Sequence, residues 1–235
     1  MKNKLLLEIS VESVEAAATA ERGGAGRIEL CSDLSVGGLT PDVALLRTVR
    51  RQIQIPIFVM IRPRPGDFVY SSSEFAQMKK SIAEAKDAGA DGLVFGILKP
   101  NHAVDIHRTH ELVELAQPLP VTFHRAFDAC PDLSQALEDV VRSAASRILT
   151  SGGARSAPEG AANIAMVVAS AGERITIAPG AGIHAGNILQ VAAATQAREF
   201  HSGLSSVLPH PQTDYIQFEN EVRAMAKLLS TLDPG

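Results

Sequence analysis

Short runs rich in isoleucine, valine, leucine and phenylalanine alternate along the chain with longer stretches whose apolar residues recur every three or four positions. The runs read as β-strands and the stretches as amphipathic helices. Strands are expected near Leu5–Ser10, Arg27–Cys31, Pro56–Arg62, Gly92–Ile97, Leu119–His124, Arg147–Ser151, Arg174–Ala178 and Arg198–Ser202. Helices are expected near Ser13–Arg22, Pro41–Arg51, Glu74–Ala88, Ile106–Ala116, Asp132–Ala144, Pro158–Ser170, His184–Ala194 and Tyr215–Leu229. Eight alternating βα units predict an α/β fold, a (β/α)8 TIM barrel with a parallel sheet. A doubly wound open sheet is the alternative, but it would carry a glycine fingerprint after its first strand, where this chain has Ser10-Val11-Glu12.

The join from helix to strand also recurs, as Gly23-Gly24-Ala25-Gly26-Arg27-Ile28, Ala88-Gly89-Ala90-Asp91-Gly92-Leu93 and Ser143-Ala144-Ala145-Ser146-Arg147-Ile148. Small residues there let a helix end pack closely on the next strand. Thr40-Pro41 and Ser73-Glu74 read as helix starts with a capping hydroxyl, and Ala157-Pro158 places proline at a first helical position. No linker or shift in composition divides the sequence, so residues 1–235 are expected to form one domain.

Charge narrows the partners. The 22 Lys and Arg against 26 Asp and Glu leave a net charge of −4, and the cations are scattered, so nucleic acid is not an expected partner. Lys2 and Lys4 precede Leu5-Leu6-Leu7, but Glu8 cuts that apolar run short of a signal peptide, and no stretch approaches a membrane span. A cytoplasmic location with no membrane partner is the expectation. Cys31 and Cys130 are too few for a disulfide framework and stay free to pack or to bind a soft metal.

Reactive side chains gather where the strands end. Pro120-Val121-Thr122-Phe123 leads into His124, Arg125 and Asp128; other strands end in Glu8, in Glu29 and Cys31, in Met60, Arg62 and Arg64, in Ser151, and in His201. Ligands of parallel α/β folds bind outside these carboxyl ends, and six polar ends on one rim point to a shared site for a metal ion or small molecule. Alternation puts Glu29 and Cys31 on one side of their strand, Met60 and Arg62 on one side, and Thr122 and His124 on one side, without saying which side is inward.

Arg62-Pro63-Arg64-Pro65-Gly66-Asp67-Phe68 is a stiff loop with two guanidinium forks suited to an anion, although Arg62 could instead pair with Glu8 or Glu29. Asp67, Phe68 and Tyr70 suggest a lid over the mouth. Gly152-Gly153, Gly180 and Gly203 follow the last strands and could cradle an anion or serve only as tight turns. His102, His107, His110, His184 and His210 read as solvated, and Cys130 as a small packing residue.

Arg27-Ile-Glu-Leu-Cys31, Gly37-Gly-Leu-Thr-Pro41, Pro56-Ile-Phe-Val-Met-Ile-Arg-Pro-Arg64 with Gly66-Asp-Phe68, Gly89-Ala-Asp-Gly-Leu-Val-Phe-Gly96, Pro118 through Asp128, Ile148-Leu-Thr-Ser-Gly152 and Glu199-Phe-His201 together resemble the CutC family of copper homeostasis proteins along nearly the whole chain. The resemblance implies a TIM barrel, a cytoplasmic homo-oligomer, a dimer, and a link to Cu(I) handling. Pro179-Gly-Ala-Gly-Ile183 departs from the family's expected Pro-Gly-Gly-Gly-Ile and weakens an anion cradle at Gly180.

Two functions stand side by side. Copper handling would use Cys31 as the thiolate ligand for Cu(I), with Met60, Cys130 or a histidine completing a low-coordinate site. An enzyme acting on a small polar or phosphorylated, sugar-like metabolite would use Glu8 or Glu29 as base and His124 or His201 as acid. Arg62, Arg64, Asp67, Arg125, Ser151 and Gly180 would then bind substrate, with or without a divalent metal.

Overall fold

The computed structural model describes residues 5–208 and 214–232. Lys2, Lys4 and His210, weighed above, lie outside the described residues. Eight parallel strands run in the order β7-β6-β5-β4-β3-β2-β1-β8, with β7 lying against β8, so the sheet curls into a barrel. The strands are β1 (Leu6–Val11), β2 (Arg27–Leu30), β3 (Ile57–Met60), β4 (Gly92–Phe95), β5 (Val121–Phe123), β6 (Arg147–Thr150), β7 (Thr176–Pro179) and β8 (Glu199–Ser202). Helices α1 (Val14–Gly23), α2 (Val43–Gln52), α3 (Ser72–Asp87), α4 (Ile106–Ala116), α5 (Leu133–Arg142), α6 (Ala161–Ala171), α7 (Ile188–Thr195) and α8 (Tyr215–Thr231) cover it. No helix among the described residues is long and apolar enough to cross a membrane.

Alternation now acquires a direction. Leu7, Ile9 and Val11, Ile28 and Leu30, Ile57, Val59 and Ile61, Leu93 and Phe95, Val121 and Phe123, Ile148, Ile177 and Phe200 all join the core shared with the helices. The intervening positions face inward, and there Cys31, Phe58, Met60 and Val94 form a small apolar cluster of their own. The remaining inward positions include Glu8, Arg27, Glu29, Arg147 and His201, all buried. The helix-facing side must be apolar to remove the helices' apolar stripes from water, so the polar residues are left to the barrel interior.

Several helix starts differ from the sequence reading for local reasons. Asp42 caps α2 by accepting from Ala44 N, while Thr40 turns its hydroxyl to the backbone of Arg62. Ser71 caps α3, with Glu74 at the third position completing a capping box, so Ser73 lies inside the first turn. Pro158 lies in a turn, and α6 begins only at Ala161.

Candidate functional site

The inward side of β8, β1 and β2 carries a connected set of charges. Arg27 reaches both Glu8 and Glu199. Arg147 Nη1 donates to Glu8 Oε2 at 3.1 Å, and its Nε and Nη2 lie 2.8 Å from Glu199 and 3.0 Å from Glu8 Oε1, close but not aligned as hydrogen bonds. The Arg27 guanidinium also covers the Phe58 ring at 4.4 Å, flooring the interior. Arg27 and Arg147 were absent from the sequence-derived site. A signal was present, since each opens its strand in one of the recurring joins with the inward parity of Glu29.

Above this floor His201 Nδ1 lies 2.7 Å from Glu8 Oε1. Burial alone would raise the Glu8 carboxyl, but Arg147, Arg27 and His201 more than offset it and hold it well below the usual carboxylate range. An ionised Glu8 can only accept, so His201 Nδ1 carries a hydrogen, and in the neutral ring Nε2 carries the lone pair. Nε2 faces Glu29 Oε2 at 3.7 Å. Cys31 Sγ donates toward the same oxygen from 3.5 Å, and Glu29 Oε1 is buried with no partner.

These neighbours set the protonation states. Burial, with the charge of Glu8, raises the Glu29 carboxyl against the opposing pull of His201 and Arg147. Burial and the Glu29 carboxylate push the Cys31 thiol well above its ordinary value. The field that opposes a thiolate is one that attracts a cation. Ligand atoms of Glu8, Glu29 and His201 lie within 4.8 Å of one another. With Glu8 already spent on two arginines and on orienting His201, the free donors are His201 Nε2, Glu29 Oε1 and, on losing its proton, Cys31 Sγ.

Cys31 and Met60 meet beneath the turn after β2. Gly38 has φ +84°, and a Cβ there would come 3.0 Å from Cys31 Sγ and 3.6 Å from Met60 Cε, so only glycine lets the backbone cover both. Cys130 is elsewhere: it packs in the helix-facing core and donates to Ala126 O.

The other candidates do not join this centre. Arg62 pairs with neither Glu8 nor Glu29; its Nη1 donates to the carbonyls of Val36 and Gly38 and its Nη2 to that of Gly66. Arg64 turns outward to Asp67, Glu74 and Val69 O. Arg125 and Ser151 are committed to Asp128 and to each other. Gly180 gives close passage, since a Cβ there would lie 2.5 Å from Leu149 Cδ1 and 3.3 Å from His201 Cβ. His124 follows β5 on the far side of Met60 and Val94, with the Phe68 ring tilted at 56° against it and centroids 4.9 Å apart.

Known proteins place this architecture. A CutC protein from Streptococcus agalactiae superposes with a TM-score of 0.81 at 32% identity, over 85% of this chain and 98% of that one. A thiamine phosphate pyrophosphorylase from Pyrococcus furiosus, at 13% identity and TM-score 0.66 over 99% and 98% of the two chains, shares the fold alone. A human protein named copper homeostasis protein cutC homolog is 46% identical over 97% of this chain and 82% of its own length. A Xanthomonas campestris pv. campestris (strain 8004) relative named only as a CutC family protein is 43% identical over 96% and 99%. The model of the CutC family matches residues 5–206, and with these identities over nearly the full length the chain belongs to the CutC family.

Proposed function

We propose that the protein acts in copper homeostasis, the role its human and mouse relatives are named for, by holding one Cu(I) ion inside the barrel. The observation that carries this reading is the inward-facing Cys31 thiol, set beside Glu29 and Met60 under Gly38. Thiolate and thioether sulfur suit Cu(I), and imidazole is a competent third donor. Cys31, Met60 and His201 Nε2 would hold the ion, with the Glu29 carboxylate balancing its charge. Glu8 supports the set by fixing the tautomer of His201. The reading includes a cytoplasmic homodimer and no nucleic-acid or membrane partner.

Anaerobic titration with Cu(I) against a competing chelator tests it. The wild type should bind one equivalent tightly and Cys31→Ser should lose that binding. Weak binding, or binding unaffected by the substitution, overturns the copper reading.

One observation favours a second reading. Glu29, raised and with a free oxygen, stands beside an imidazole whose Nε2 is open, and that pair is equipped to exchange a proton with a small polar metabolite. On this reading Glu29→Gln abolishes turnover of a substrate found by metabolite screening, while Cys31→Ser does not.

A further inference from the structure

A different arc of the barrel mouth holds three buried polar atoms without partners: Arg62 Nε, His124 Nε2 and the Tyr70 hydroxyl. Each residue is at least nine-tenths buried, with Arg62 5%, Tyr70 4% and His124 3% exposed. Buried donors left unpaired in a folded protein are rare, and three in one arc of the mouth, two after β3 and one after β5, call for an explanation. They belong together in space. The Phe68 ring is tilted against His124 at 4.9 Å and lies 5.2 Å from the Arg62 guanidinium, so one ring caps both. Arg62 lies near enough to Tyr70 and to His124 for its charge to act on both, although it is not aligned with the hydroxyl as a hydrogen bond. Gly96, just after β4, makes room for the imidazole: a Cβ there would stand 2.7 Å from His124 Nδ1.

The donors are also oriented. His124 Nδ1 accepts from Ala126 N, so the ring hydrogen sits on Nε2. The Arg62 Nη groups are held by the carbonyls of Val36, Gly38 and Gly66, which fixes the guanidinium and leaves Nε–H free. Burial, with help from Arg62 and Arg125, lowers His124 to about 3, so the imidazole is neutral; Arg64 and Arg125 are balanced by Asp67, Glu74 and Asp128, which leaves Arg62 as the uncompensated positive charge of this arc among the described residues.

We infer that the space beneath Phe68 is a second binding site, in which Arg62 Nε–H, His124 Nε2–H and the Tyr70 hydroxyl donate to the carboxylate of a small organic acid. One positive charge and three separate donors match two oxygens sharing one negative charge. A phosphate dianion would bring a second charge that nothing here neutralises. Phe68 is only half-buried and follows the exposed residues Pro65 to Asp67, so it is the group that gives way to admit the ligand. The site uses neither Cys31 nor Glu29 and does not depend on the copper reading. The Gly37–Gly38 turn nevertheless touches both, through Gly38 O on Arg62 and its backbone over Cys31.

The test follows the His124 ring signals by NMR while the full-length protein is titrated with acetate, lactate or inorganic phosphate in separate arms. Acetate and lactate should give saturable shifts, and phosphate at matched concentration should not. Tyr70→Phe removes one oxygen atom and should weaken carboxylate binding about tenfold, as expected for a lost hydrogen bond to a charged group. His124→Gln, read from the Tyr70 ring signals, should weaken it at least as much, and Cys31→Ser should leave it unchanged, which separates failure of this site from failure of the copper site. Absence of saturable binding, preference for phosphate, or binding indifferent to Tyr70→Phe overturns the inference.

Discussion

His201 in β8 and His124 just after β5 have similar settings, each lying across the glycine that follows the preceding strand, Gly180 after β7 for one and Gly96 after β4 for the other. Their surroundings are opposite. His201 is held by the ionised Glu8, which two arginines hold in turn, and it turns an open nitrogen toward Glu29 and Cys31. His124 instead lies within reach of the Arg62 charge, and its Nε2 has no partner among the described residues. One arc of the mouth therefore offers electron pairs and attracts cations, while the other offers hydrogens and attracts anions. Residue type alone does not separate the two histidines; the charge on the neighbouring strands does.

The largest effect should come from removing the keystone of the first arc. Glu8→Gln preserves shape but leaves Arg27 and Arg147 with Glu199 as their remaining counter-charge, and breaking a buried pair in this way costs about 3 kcal/mol or more. Denaturant unfolding at neutral pH should show that loss, and an unchanged midpoint would mean the network contributes nothing net.

The next effect belongs to the second arc and depends on pH. His124 is held near 3 in the fold against an ordinary 6.5, so between those values the unfolded chain binds the extra proton. Stability should thus be full above about 6.5 and fall with acidification at up to about 1.4 kcal/mol per pH unit from this group. His124→Phe should flatten that limb. Glu8 contributes in a lower window that overlaps this one only below 4.5, because its stabilisation is present above 4.5 and is lost as the pH falls through its depressed value. A wild-type profile that His124→Phe leaves unaltered above pH 5 would sink the assignment of a neutral buried imidazole.

The smallest effect has the opposite sign. Glu29 is a buried carboxylate whose pKa burial and Glu8 raise, so its charge is a cost in the metal-free protein. Glu29→Gln should raise the unfolding free energy at neutral pH by roughly 1 kcal/mol, the trade expected where a site is kept for function rather than stability. Thermal unfolding of the metal-free proteins checks it, and destabilisation would show that the carboxylate is fully satisfied without a ligand.

How much of this was legible beforehand differs between fold and site. The eight βα units stand close to where hydrophobic periodicity predicts them, because period-2 apolar runs and amphipathic helical stretches are local properties. Several helix starts moved by one to four residues, and in α2 the reason is that Thr40 bonded the Arg62 backbone and left Asp42 to cap the helix. Within the site, Glu8, Glu29, Cys31, Met60 and His201 could be singled out from polarity at strand ends. Arg64, Asp67, Arg125 and Ser151 shared that signal, yet each is bound up with close neighbours in its own loops, which no spacing rule distinguishes. Arg27 and Arg147 escaped notice because they sit at strand starts, away from the rim where ligands bind.

The sequence by itself determined the alternation, and with it which residues share a face: Glu29 with Cys31, Met60 with Arg62, Thr122 with His124. Only the tertiary structure decided that this polar face points inward, since the helices must cover the apolar one. It also decided which charges meet. Glu8 and His201 are 193 residues apart, and closing the barrel places β1 beside β8. Charge interactions weaken with distance and are strongest where water is excluded, so the character of each histidine is set by the charges beside it in space, on strands that the chain order keeps far away.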